Sequence, residues 1–139
     1  MSSDKTLSDV AAEMRGIDIA ILSTYAENGY IAGRPMSNNG DVEYNGKSFY
    51  FTYEDSHTVG EIEREPKIGL GFAGKGKIYI TVEGDAELIR DKSAFAAHWT
   101  PDLDKWFEQG IDSPEIVMIE VTAKRIHWWD GMQGGQVKI

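Results

Sequence analysis

Gly69-Leu70-Gly71-Phe72-Ala73-Gly74-Lys75-Gly76, followed by Lys77-Ile78-Tyr79-Ile80-Thr81-Val82, is the stretch on which the fold turns. Its first six residues match the dinucleotide fingerprint G-x-G-x-x-G letter for letter. That chemistry needs the glycines between a strand and a helix, so that the helix N-terminus meets a pyrophosphate. Here Ile78, Tyr79, Ile80, Thr81 and Val82 follow, all strand-favouring types. The same residues fit most of a P-loop, but Gly76 stands where a magnesium-binding Ser or Thr belongs, and again no helix follows. The nucleotide reading is refused. The stretch reads as strand, tight turn, strand, with glycines that permit close backbone approach in a curved sheet.

Outward from this hairpin the same logic repeats. Ile17, Ile19, Ile21 and Ser23 alternate with Asp18, Ala20, Leu22 and Thr24, a strand expected to be buried over much of both faces. Glu27-Asn28-Gly29 is a hairpin signal, and Tyr30 to Met36 is the return strand. Asn38-Asn39-Gly40-Asp41 opens a loop, and Asn45-Gly46 is a second turn. Lys47 to Tyr53 is the clearest strand, then come Lys67 to Ala73, Lys77 to Arg90 and Glu115 to Trp129. Helices are expected at residues 5–15, capped by Asp4 or Thr6 and stopped by Gly16, and at His57 to about Glu65, capped by Ser56 and ended by Pro66. Ser93 to Trp99 and Leu103 to Glu108 read as short helices, and the Gly-rich residues 131–139 as an irregular tail. The sum is a mainly β single domain over 1–139 with about six antiparallel strands joined by tight turns, arranged as a small barrel.

Composition narrows the function. The 139 residues are 41% hydrophobic and 27% charged, ordinary values for a folded chain. With 14 basic against 23 acidic residues the net charge is −9, which repels nucleic acid and anionic membranes. There is no cysteine, so disulfides, thiolate metal sites and cysteine nucleophiles are excluded. No apolar run is long enough for a membrane helix, and Met1-Ser2-Ser3-Asp4-Lys5 lacks the layout of a signal peptide; a cytoplasmic location is expected. His57, His98 and His127 have no partners at metal-chelating helical spacing, and Ser37, Ser56 and Ser93 have no nucleophile-elbow context. Trp99, Trp106, Phe107, Trp128 and Trp129 read mostly as core or dimer interface.

Two elements point to an anion. Arg34 lies on the second strand and reads either as a surface guanidinium or as a phosphate clamp, since its planar fork matches phosphate oxygens. The next strand runs into Phe51-Thr52-Tyr53-Glu54-Asp55-Ser56-His57, with hydroxyls at a helix start.

On these landmarks the chain resembles the general stress protein 26-like branch of the pyridoxamine 5′-phosphate oxidase-related flavoproteins. The likeness runs from Thr24 through Gly33-Arg34-Pro35-Met36, Phe49, Phe51-Thr52, Asp55-Ser56-His57, Glu61-Ile62, Pro66, Gly84 and Asp91, then Trp99, Trp106-Phe107, Gly110, Asp112, Pro114 and Trp129-Asp130. The resemblance implies a split β-barrel that binds FMN, or another flavin such as FAD, between the subunits of a homodimer. It implies that Arg34 holds the phosphate with Ser56 and His57 nearby, and that Pro35, Met36, Phe51 and Thr52 line the ring. Trp128 or Trp129 would cover the ring from the partner subunit; strand neighbours point to opposite faces, so one of the two is expected to do so. The chain departs from the pattern at Thr58, where relatives commonly carry Lys in Ser-x-Lys. Losing one charged hydrogen bond to phosphate costs about 1.5–3 kcal/mol, or about ten- to a hundredfold in affinity. Three readings follow: a flavin-dependent oxidoreductase that is not a true pyridoxamine phosphate oxidase, a non-catalytic stress module binding a flavin or another planar small molecule with weakened or lost FMN affinity, or a cofactor-free dimeric barrel.

Overall fold

Thr6 opens the first helix with a reciprocal capping box: its hydroxyl accepts from the Asp9 amide, and the Asp9 carboxylate accepts from the Thr6 amide. The computed structural model describes residues 5–38 and 44–137, so the alternative cap Asp4, the loop positions Asn39, Gly40 and Asp41, and the last two residues of the expected tail lie outside the described residues. Helix α1 (Leu7–Arg15) buries Val10 and Met14 and closes at Gly16. The Asn38 side-chain amide donates to the Met14 and Ile17 carbonyls at 2.8 and 2.7 Å, tying the end of α1 to the end of the second strand.

The strands are β1 (Ile19–Tyr25), β2 (Ile31–Ser37), β3 (Lys47–Tyr53), β4 (Lys67–Ala73), β5 (Ile78–Ile89), β6 (Ile116–Asp130) and β7 (Gln133–Val137). All pair antiparallel, in the order β2-β1-β4-β5-β6-β3, with β7 also on β6. The hairpin at Gly69–Val82 is β4–β5, with Gly71 opposite Thr81, as the strand reading requires. Helix α2 (His57–Arg64) links β3 to β4 and packs on β1 and β5. The terminal strands of the path, β2 and β3, do not pair with each other, and the barrel is split at that point.

Among the described residues seven strands form where about six were expected. The extra one is β7, read from sequence as irregular tail because of its glycines. Those glycines have a packing reason: Gly135 and Gly134 lie opposite Trp128 and Trp129. A Cβ on Gly135 would come within 2.9 Å of the Trp128 indole nitrogen, so the broad ring rests directly on the strand backbone. A second close approach occurs at the β5–β6 register shift beside Gly84, where Lys124 is the unpaired bulge residue. A Cβ at Gly84 would collide with the Thr122 carbonyl oxygen.

The expectation for β1 also needs correction. Ala20, Leu22 and Thr24 point inward and are buried, but Ile19 and Ile21 face outward and are exposed in the single chain. The late helices are shorter than expected. Helix α3 (Lys92–Phe95) is one turn capped by Asp91, and a 3₁₀ segment spans Pro101–Lys105. Thr100 precedes Pro101, which biases it away from helix. These turns cover a second small core of Phe51, Phe95, Leu103, Phe107, Ile116 and Met118, beside the main barrel core around Leu22, Tyr50, Ile80, Ile119 and Trp128.

Candidate functional site

The unpaired edges of β2 and β3 leave a cleft between them. Its volume is about 190 Å³, and its lining is Ile19, Pro35, Met36 and Ser37 on one side, with Phe51, Thr52 and Tyr53 on the other. Leu103, Trp106 and Phe107 from the 3₁₀ region close one wall. The floor is held by aromatic contacts: Phe51 packs edge-on to Trp99 at 4.8 Å and to Phe95 at 5.5 Å between centroids. Trp106 is exposed. Among the described residues no carboxylate, lysine, arginine or histidine lines the cleft. Its lining is mainly apolar and aromatic, with Ser37, Thr52 and Tyr53 contributing hydroxyls.

Four of the residues singled out from sequence, Pro35, Met36, Phe51 and Thr52, therefore share one site. Ser56 is joined to it through the Thr52 hydroxyl, which donates to the Ser56 Oγ at 3.2 Å. Ser56 occupies the N-cap position of α2, but its side chain makes no capping bond. His57 is exposed at the start of α2, and Thr58 is buried one residue on.

Arg34 does not project freely into solvent. It stands opposite Leu22 in the β1–β2 register, on the inward side. Its guanidinium donates to the Thr24 hydroxyl at 2.8 Å, to the Leu22 carbonyl at 3.4 Å and to the Glu61 carboxylate at 2.8 Å. The Thr24 hydroxyl donates to the same Glu61 oxygen at 2.6 Å. Glu61 is 8% exposed and Thr24 is 1% exposed. The Thr24 hydroxyl, and then Arg34, hold the Glu61 carboxyl below its ordinary value against the opposing effect of burial. Glu61 is thus ionised at neutral pH and forms a closed triad with Arg34 and Thr24.

The two tryptophans divide as strand alternation requires. Trp128 is 1% exposed in the barrel core, with the Lys5 ammonium 5.0 Å from its ring centroid, whereas Trp129 is 43% exposed. Trp128 is accordingly a core residue and not a ring-covering one. Trp129 lies beside Tyr79 on the outward face of the sheet, together with Ile19, Ile21, Tyr25 and Ile31 of β1 and β2.

Sequence reading missed two participants. Glu61 appeared there as a landmark without a role, because a carboxylate eight residues past a β-strand carries no sign of its partner. Trp106 was counted with core and interface aromatics and instead walls the cleft. A wider depression of about 620 Å³ lies at the other end of β1, lined in part by Tyr25, Lys67, Glu83, Asp85 and Lys124. Its charges are engaged among neighbours, with Arg125 bidentate on Glu83 and Lys124 3.9 Å from Asp85. Among the described residues no cluster of three metal-ligating side chains occurs, and no helix is long and apolar enough to cross a membrane.

Comparison with solved structures supports this architecture. A protein related to general stress protein 26, of the pyridoxinephosphate oxidase family, from Clostridium acetobutylicum superposes with a TM-score of 0.76 at 23% identity, covering 88% of this chain and 86% of the other. General stress protein 26 from Bacillus anthracis str. Sterne gives 0.76 at 21% identity, covering 92% and 94%. A heme binding protein from Mycobacterium smegmatis shares the fold at 0.69 and 15% identity, covering 98% of this chain and 59% of the other. A search of curated proteins finds no match. The profile of the family described as pyridoxamine 5′-phosphate oxidase like matches residues 5–139. With that match over nearly the whole length and a split barrel whose open edges frame the cleft, the chain belongs to the pyridoxamine 5′-phosphate oxidase-like family.

Proposed function

We propose that this protein binds a flavin between two copies of the chain and serves as a flavin-dependent oxidoreductase. The observation that carries the reading is the slot between β2 and β3, lined by Pro35, Met36, Phe51, Thr52 and Trp106. A lining of that composition suits a heteroaromatic ring, with the unpaired strand edges offering backbone groups to the ring's polar atoms. Its volume of about 190 Å³ falls below the roughly 300–1,000 Å³ usual for a ligand pocket, so one chain supplies part of the site. The exposed apolar side chains Ile19, Ile21, Tyr25, Ile31, Tyr79 and Trp129 lie on the outward face that a second copy would cover, and exposed apolar surface favours association. Trp129, not Trp128, is the tryptophan available to that interface.

The ring portion of FMN fits the residues present; the phosphate portion does not, because Arg34 is already paired with Glu61 and Thr58 is neutral. A bound flavin would supply the redox chemistry, and the chain would bind the ring, orient it and exclude water from one of its faces. With no acid or base among the described residues that line the cleft, a proton would be exchanged by substrate, solvent or the second subunit. This same lack favours, as the alternative, a module that binds a flavin without turnover.

The test is titration of the purified protein with FMN, followed by quenching of flavin fluorescence and a shifted visible spectrum, alongside sedimentation to establish the assembly. Saturable micromolar binding by a dimer, with bleaching by a nicotinamide donor under argon and reoxidation in air, supports the oxidoreductase. Binding without reduction by any donor supports the module. A monomer with no flavin binding overturns both.

A further inference from the structure

We propose that the site is indifferent to the flavin's phosphate, taking phosphate-free riboflavin about as tightly as FMN. This rests on the flavin reading of the cleft and goes beyond it by naming the ligand class. The argument is one of charge. Arg34 is the one cation on β2, directly before the cleft-lining Pro35, and its charge is balanced by Glu61 at 2.8 Å. Two nitrogens of the guanidinium are committed, one to Glu61 and one to Thr24 and Leu22. Glu61 itself is fixed by the 2.6 Å bond from Thr24, so it cannot leave without abandoning a second partner. A dianionic phosphate brought to Arg34 would therefore meet a carboxylate on the same guanidinium. Thr58, where relatives carry the second cation, adds no charge.

One favourable feature remains, the N-terminus of α2, which its N-cap Ser56 leaves without a side-chain partner. A helix terminus contributes about two- to fivefold toward an anion, whereas a free guanidinium contributes about ten- to a hundredfold. The paired Arg34 forfeits the larger effect. Arg64 also acts on Glu61, from the far end of α2, and strengthens its commitment to the ionised state.

The experiment compares FMN and riboflavin titrations of the wild-type protein and of Glu61→Gln, with circular dichroism to confirm that the variant folds. The wild type is expected to bind the two flavins within about fivefold of each other. Glu61→Gln keeps an acceptor for Thr24 but removes the opposing charge, and is expected to raise the FMN-to-riboflavin preference tenfold or more without changing riboflavin affinity. Should Glu61→Gln fail to fold, Thr58→Lys supplies the missing cation directly and carries the same expectation. A wild type that prefers FMN by tenfold or more overturns the inference and leaves the flavin site standing. An unchanged preference in the folded variant likewise overturns it. Binding of neither flavin overturns the flavin reading itself.

Discussion

Replacing Arg34 with Ala separates a structural arginine from a ligand clamp without any ligand present. If Arg34 waits for phosphate, the apo protein should barely notice its loss. The triad says otherwise. Arg34→Ala removes a charge-assisted bond to Glu61 and a neutral one to Thr24, and leaves a carboxylate that is 8% exposed with Thr24 as its remaining side-chain partner. Charge-assisted bonds contribute about 1.5–3 kcal/mol, and breaking a fully buried pair costs about 3–5 kcal/mol. The Arg34 side chain is 20% exposed, so water recovers part of that, and the expected loss is about 2 kcal/mol. For a chain of 139 residues, an unfolding entropy of about 2.1 cal/mol/K per residue converts this to a drop in Tm of about 7 °C. Urea denaturation of the apo protein at pH 7 measures the loss. The double variant Arg34→Ala/Glu61→Gln should recover part of it, because the stranded charge is gone. Apo stability within 0.5 kcal/mol of wild type would refute the reasoning and return Arg34 to the role of a free clamp.

Acid should expose the same pair. The Glu61 pKa is depressed from the ordinary 4.5, so its contribution is complete above about pH 4.5 and is lost as pH falls through the lower folded value. The stability gap between wild type and Arg34→Ala is therefore expected to narrow steadily below pH 4.5; a gap that widens there on paired urea melts would contradict the assignment. In the sheet, Gly84→Ala sets a Cβ against the backbone of Thr122, which no rotamer change relieves, and should cost about 3 kcal/mol. Gly71→Ala, with nothing within 4 Å of the added carbon, should stay within about 0.5 kcal/mol of wild type. Equal losses at the two glycines in thermal melts would mean that the bulge is not the constraint.

The strands were legible because turns and alternation are local. Gly29 at φ +86° and Gly46 at φ +104° stand where the turn signals put them, and β3 was read with its boundaries intact. The N-terminal helix was legible for the same reason, with Thr6 and Gly16 as its ends. What failed were positions whose neighbours are distant in sequence. The glycines of β7 read as irregular because the residues they pack against, Trp128 and Trp129, are defined by a pairing and not by a period. Ile19 and Ile21 read as buried because apolar side chains on both faces of a strand usually are. They are instead part of an outward apolar face, which is a statement about association that a single chain leaves open.

The site shows the same division more sharply. Pro35, Met36, Phe51 and Thr52 were found because they lie on two strands whose edge positions follow from chain order, and they converge where the barrel fails to close. Arg34 was found as well, but its role was taken from its chemistry alone. A guanidinium is suited to phosphate and to carboxylate alike, and sequence spacing does not choose between them. The choice is made by α2, which brings Glu61 across 27 positions of chain to within 2.8 Å of Arg34. Once that bond exists, Thr58 ceases to be an isolated departure. The proposed indifference to phosphate rests on both, a neutral Thr58 and an Arg34 whose charge Glu61 balances. The two features, one read from sequence and one from geometry, point the same way, toward the proposal that recognition at this site is left to the apolar slot.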